Sequence, residues 1–104
     1  MLDNTRYFDM NEKRILLANL NKIHTTELGI ARIKKNLNLD SDDVVAFCKK
    51  KISASDSFVY KQGKNFYCLI DGIRFTIHAN SYTMITANKI TMDRQVFKDI
   101  PGKL

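Results

Sequence analysis

The apolar positions of this chain change their period once, near residue 55. Before that point the spacing is helical, and after it the spacing is that of strands. A first helix is expected from about Asp9 or Asn11 to Lys22, with Ile15, Leu16, Leu20 and Ile23 in one arc. A second begins near Thr25 or Thr26, either of which can cap its first amides. There Ile30, Ile33 and Leu37 share one side, Leu28, Arg32 and Lys35 face the other, and Asn36 to Leu39 reads as the break. The run Asp40-Ser41-Asp42-Asp43 opens a third helix, because it supplies a cap and sets carboxylates at the positive end of the dipole. Val44, Val45, Phe47, Cys48 and Ile52 make its inner face, and Lys49, Lys50 and Lys51 suit its C-terminal turn.

Four short β runs follow: Phe58–Lys61, Phe66–Ile70, Ile73–His78 and Tyr82–Lys89, divided at Gly63-Lys64, Asp71-Gly72 and Asn80-Ser81. If all three connections are tight hairpins, Tyr60 pairs with Tyr67, Cys68 with Phe75, Ile77 with Met84 and Thr76 with Ile85. Alternation along each strand then sorts the sheet into two faces. One carries Val59, Phe66, Cys68, Ile70, Ile73, Phe75, Ile77 and Met84, and the three helices must cover it. The other carries Phe58, Tyr60, Tyr67, Leu69, Arg74, Thr76, His78, Thr83 and Ile85. The expected fold is α+β: three N-terminal helices on one face of a four-stranded antiparallel meander. A helical half over 9–53, a meander over 57–90 and a short C-terminal helix or arm over 91–104, docked by Val96 and Phe97, make one domain over 1–104.

Composition narrows the class. At 44% hydrophobic residues the chain can bury a core of its own, which excludes a disordered tail or a collagen-like repeat. No stretch reaches the roughly 20 apolar residues that span a bilayer. The mixed start MLDNTRYFDMNEKR lacks the apolar centre of a signal peptide, so the expected compartment is cytoplasmic, with no membrane partner. Cys48 and Cys68 form no CxxC pair and have no zinc-finger spacing, so two buried free thiols are expected, with no metal and no cofactor. The net charge of +6 is spread along the chain, with no basic arm. It favours an anionic partner such as nucleic acid, and it is equally the charge of a solvated basic surface.

The second sheet face interleaves aromatics with Arg and His, the pattern on which bases stack and phosphates are held. Tyr60, Tyr67, Thr76, Tyr82, Thr83 and Lys35 are the candidate RNA contacts. The competing reading covers this face with the C-terminal arm, a second subunit in a homodimer, or a protein partner. No Gly-rich phosphate loop, HExxH or GxSxG occurs. Metal-independent RNA cleavage needs a base for the 2′-hydroxyl, an acid for the leaving oxygen and cations around the phosphate. The chain has two histidines, His24 and His78, which with Arg74 and Arg32 make the candidate catalytic set. As a structural residue, His24 would be a cap or a packed ring.

The segments HTTELGIARIKKNL (24–37), DDVVAFCKKKI (42–52), GKNFY (63–67) and SYTMITANKI (81–90) resemble a family of small bacterial proteins of unknown function. The order of a His-opened helix, an acid-opened helix and a meander ending in Tyr-x-x-Ile-Thr-Ala is also similar to the barnase/colicin/RelE-type ribonuclease group. That likeness implies an RNA-bearing sheet, a toxin-like endoribonuclease and an antitoxin-like protein partner. It carries over onto His24, Arg32, Arg74, His78, Thr83 and Thr86. The N-terminal helix is an addition to that group's minimal fold, and no branch-specific triad is matched. The functional expectation is therefore an RNA-binding protein with endoribonuclease chemistry. Its alternative is a non-catalytic interaction or dimerisation domain.

Overall fold

The computed structural model describes residues 4–90, so the arm expected over 91–104 lies outside the described residues. The helix α1 spans Asn4–Ala18 and a 3₁₀ turn follows at Leu20–Lys22. The single helix expected from about Asp9 or Asn11 to Lys22 begins earlier, at Asn4, and ends earlier, at Ala18. It stops because Asn19 donates its side-chain amide back to the Ile15 carbonyl at 2.9 Å, satisfying an end carbonyl locally. Leu16 and Ile23 are buried, whereas Ile15 faces outward.

The stretch from His24 to Gly29 sets the start of α2, Glu27–Leu37. The Thr26 hydroxyl accepts from the Gly29 amide at 3.0 Å and caps the helix. The Thr25 hydroxyl donates to the Met84 carbonyl at 2.8 Å, tying the helix start to the sheet. Gly29 leaves room for that hydroxyl, since a Cβ there would lie 2.1 Å from Thr25 Oγ1. The helix ends with Asn38 in the left-handed region (φ 52°) and the Leu39 amide on the Lys34 carbonyl, a Schellman-type close. Gly29, Ile33 and Leu37 are its buried residues. Ile30, expected inside, is exposed, because the strip that α2 lays along the sheet is centred on Ile33.

Helix α3, Val44–Ile52, is capped by Asp43, whose Oδ1 accepts from the Ala46 amide at 3.0 Å. Val44, Cys48 and Ile52 are buried, while Val45 and Phe47 are half-buried. Lys51 pairs with Asp71 at 2.7 Å, so part of the lysine run is committed within the fold. Lys13 on α1 donates to three carbonyls of the loop after α3: Ala54 at 3.2 Å, Ser55 at 3.1 Å and Ser57 at 2.8 Å.

The sheet has the order β1-β2-β3-β4 with every neighbour antiparallel. The strands are β1, Phe58–Gln62; β2, Asn65–Ile70; β3, Ile73–His78; and β4, Met84–Lys89. Asp71 and Gly72 both have positive φ (52° and 73°), which a two-residue type I′ turn demands. Tyr60 faces Tyr67, Cys68 faces Phe75 and Ile77 faces Met84, as alternation requires. The register slips between Thr76 and Ile77, so Thr76 pairs with Thr86. The expected Thr76–Ile85 pair is replaced, because Ile85 is the extra residue of a β-bulge.

The apolar face, including Ala87, joins the buried residues of all three helices in one cluster. Helix α1 lies against β1, α2 along β4 and α3 against β2. The architecture is α+β.

Candidate functional site

The β3–β4 connection is where the fold brings the two histidines together. Tyr82 adopts φ 59°, a left-handed conformation that a bulky residue rarely takes. Its amide donates to the His78 carbonyl at 2.8 Å, and its carbonyl accepts the His24 amide at 3.2 Å. The His78 amide donates to the Thr83 carbonyl at 2.8 Å, and the Met84 amide to the His24 carbonyl at 2.7 Å. His24 thus adds one parallel bridge beside Thr83 on the outer edge of the sheet. The strained turn is held from both sides, and it puts the Thr83 side chain against the His24 ring.

Hydrogen-bond bookkeeping assigns the protons. The Lys22 carbonyl can only accept, so His24 Nδ1, 2.9 Å from it, carries the ring proton. In the neutral ring His24 Nε2 then keeps its lone pair and accepts from the Thr83 hydroxyl at 3.1 Å. Thr83 has then used its proton, so the Ser81 hydroxyl donates to Thr83 Oγ1 at 2.7 Å. Ser81 Oγ also lies 3.4 Å from His78 Nδ1. That nitrogen accepts long bonds from the Asn80 and Ser81 amides, both at 3.3 Å, so neutral His78 carries its proton on Nε2. Ser81 therefore joins the two imidazoles, its hydroxyl reaching His24 through Thr83 and its amide reaching His78. His24 and Ser81 are exposed and His78 is half-exposed. The Lys22 ammonium stands 5.9 Å from the centre of the Tyr82 ring.

The other candidates lie elsewhere. A rise of about 3.3 Å per residue sets Arg74 roughly 13 Å from His78 along β3, beside Leu69 and Asn88. Arg32 and Lys35 line a shallow groove of about 650 Å³ between α2 and β4. Leu28 and Ala31 share their side of it, and Ile85, Thr86 and Asn88 form the other. Asn36 donates to Thr86 Oγ1 and to the Ala87 carbonyl, both at 3.3 Å, and so closes the floor. On the second sheet face Tyr60 stacks on Tyr67 with ring centres 5.2 Å apart. Tyr60 is only 5% exposed and Thr76 8%, so both are largely withdrawn from any base. Tyr67 is half-buried.

In the sequence Asn80-Ser81 carries only the signal of a turn, which leaves Ser81 outside the candidate set. The hydroxyl spacing Ser81-x-Thr83 after a strand-ending His was the available signal. Thr25 is expected as a possible cap, whereas its bond is to Met84, 59 residues away, and the clearance at Gly29 follows from that bond.

The two cysteines are buried and free, as expected. Burial pushes the Cys48 thiol up to about 12. Burial also pushes Cys68 up to about 11, against the opposing pull of its hydrogen bond with Ser57 and the Lys13 charge. Neither is a thiolate nucleophile at neutral pH. Among the described residues no cluster of three or more His, Cys, Asp or Glu could hold a metal ion, and no helix is long and apolar enough to cross a membrane.

The model of a family described as protein of unknown function (DUF3781) matches residues 17–88, a span that contains both histidines, Ser81 and Thr83, and the chain belongs to that family. No curated protein and no solved structure matches.

Proposed function

We propose that this member of the DUF3781 family binds RNA and cleaves it by acid/base chemistry at the β3–β4 turn. One observation carries the reading: His24 and His78 join in a single hydrogen-bonded cluster on an accessible turn. The two rings have different roles. His24 is the base, because its Nδ1–H is held by the Lys22 carbonyl and its Nε2 lone pair meets only the Thr83 hydroxyl. An RNA 2′-hydroxyl takes the place of the Thr83 hydroxyl on that nitrogen. His24 removes its proton, the 2′-oxygen bonds to phosphorus and the P–O5′ bond breaks. A water protonates the leaving 5′-oxygen, and the hydroxide left behind takes the proton back from His24. The Nε2–H of His78 donates to a phosphate oxygen as its charge grows, and Lys22 supplies positive charge nearby.

The test is incubation of a labelled single-stranded RNA with the protein and excess chelator, read on a sequencing gel. The expected products end in a 2′,3′-cyclic phosphate, and a 2′-deoxy substitution at the cleaved position blocks the cut. His24→Ala should lower the rate by about 10²–10⁴-fold, the usual worth of a general base. Its main-chain bonds to Tyr82 and Met84 remain, so it should bind RNA and melt almost as the parent does. Binding without fragments would remove the enzyme and leave an RNA-binding module. No binding at low salt would sink both, and favour an interaction domain with a solvated basic surface.

A further inference from the structure

We infer that the groove between α2 and β4 is a subsite for unpaired RNA, leading away from the histidine turn. The inference rests on the RNA reading above and names the substrate class and the route it takes. Two ties mark the seam. Thr25 reaches the Met84 carbonyl beside His24, and Asn36 reaches Thr86 and the Ala87 carbonyl further along. Both ties run in the same direction on helix and strand, so the groove continues from the turn instead of crossing it. The helical rise sets Arg32 about 9 Å and Lys35 about 14 Å beyond the Thr26 cap.

The lining has the chemistry of a single strand. Arg32 and Lys35 are both exposed, and among the described residues no carboxylate lines the groove beside them. Leu28 is 75% exposed and Ile85, pushed outward by the bulge, is 38% exposed. These two offer apolar surface to the faces of unstacked bases, while the cations answer the phosphates. A duplex keeps its bases stacked inside and has no use for Leu28 and Ile85. The sheet face is the poorer platform, since Tyr60 and Thr76 are almost fully covered there.

The experiment is fluorescence anisotropy of a labelled 12-nucleotide single-stranded RNA across a salt series, with an unlabelled duplex as competitor. The double variant Arg32→Gln/Lys35→Gln should weaken binding. It should also flatten the slope of log K against log salt by about 1.4, at about 0.7 for each single-strand phosphate that is no longer neutralised. Leu28→Ala should weaken binding with the slope unchanged, because it removes no charge. The duplex should compete poorly. An unaltered slope in the double variant, while the parent protein binds RNA, would overturn this inference and leave the proposed function standing. So would a duplex that competes as well as the single strand. An acidic peptide binding in the groove with no RNA bound at low salt would overturn both. Melting curves confirm that the variants, all at exposed positions, remain folded.

Discussion

Two polar clasps tie helices to the sheet side of this molecule, and they use their donors differently. At one end the Lys13 ammonium has three N–H groups and three carbonyl partners, Ala54, Ser55 and Ser57. Every donor is used, so the charge serves the fold and has little left for a ligand. At the other end the clasp is His24 on Thr83, extended through Ser81 to His78. There the structural work falls to main-chain bonds and to Thr25, and the imidazoles and hydroxyls lie at the surface. A saturated clasp marks a structural contact. In the other the main chain bears the load, and the side chains bond one another at the surface, where a ligand can displace them.

The sharpest separation of the two ends comes from alkali. Cys48 and Cys68 belong to the buried core, with thiols raised to about 12 and about 11 from 9.0. A thiol raised in the folded state contributes full stability below the unfolded value and loses it as pH climbs toward the folded value. Chemical denaturation should therefore show no thiol-linked loss from pH 7 to about 8.5. Above pH 9 it should show a loss of up to about 1.4 kcal/mol per pH unit for each thiol. Replacement of either cysteine by alanine should reduce that slope. A slope in both variants that equals the parent's would assign the loss to other groups.

Lys13→Met comes next. It leaves three carbonyls without their donor and should cost about 1–3 kcal/mol by urea unfolding. The salt dependence of RNA binding should not change, because this cation meets carbonyls and not phosphate. A flattened slope would show that the two ends are less distinct than their hydrogen bonds indicate.

Gly29→Ala is the smallest change and tests the other clasp by its sign. In an unconstrained helix the alanine would stabilise by about 0.5–1 kcal/mol. Here its Cβ meets Thr25 Oγ1 and turns that hydroxyl away from the Met84 carbonyl. The expected outcome is a net loss of about 1 kcal/mol, with slower RNA cleavage, since Thr25 adjoins His24, the proposed base. A gain in stability would mean that the Thr25 tie contributes little.

Much of the fold was legible because its signals are local. Thr26 and Asp43 cap the helices their positions suggested, and Asp71-Gly72 makes the turn its residues require. The errors arose where a neighbour elsewhere in the chain decided the outcome. Ile30 has the spacing of a core residue, yet the angle at which α2 meets the sheet leaves it outside. Ile85 sits where simple alternation pairs it with Thr76, and the bulge beside Tyr82 displaces it into the groove. Tyr60 alternates onto the open-looking face and is nonetheless buried.

The sequence by itself determined the element order, the helix caps, the pairing of the first three strands and the burial of both thiols. Period, cap chemistry and turn chemistry act over a few residues and need no tertiary partner. Only the tertiary structure decided that His24 would meet Thr83, 59 residues away, and through it Ser81 and His78. That meeting depends on a left-handed Tyr82, a parallel bridge on a sheet edge and a helix start pinned by Thr25. Each is a bond between distant segments, and spacing along the chain carries no record of it.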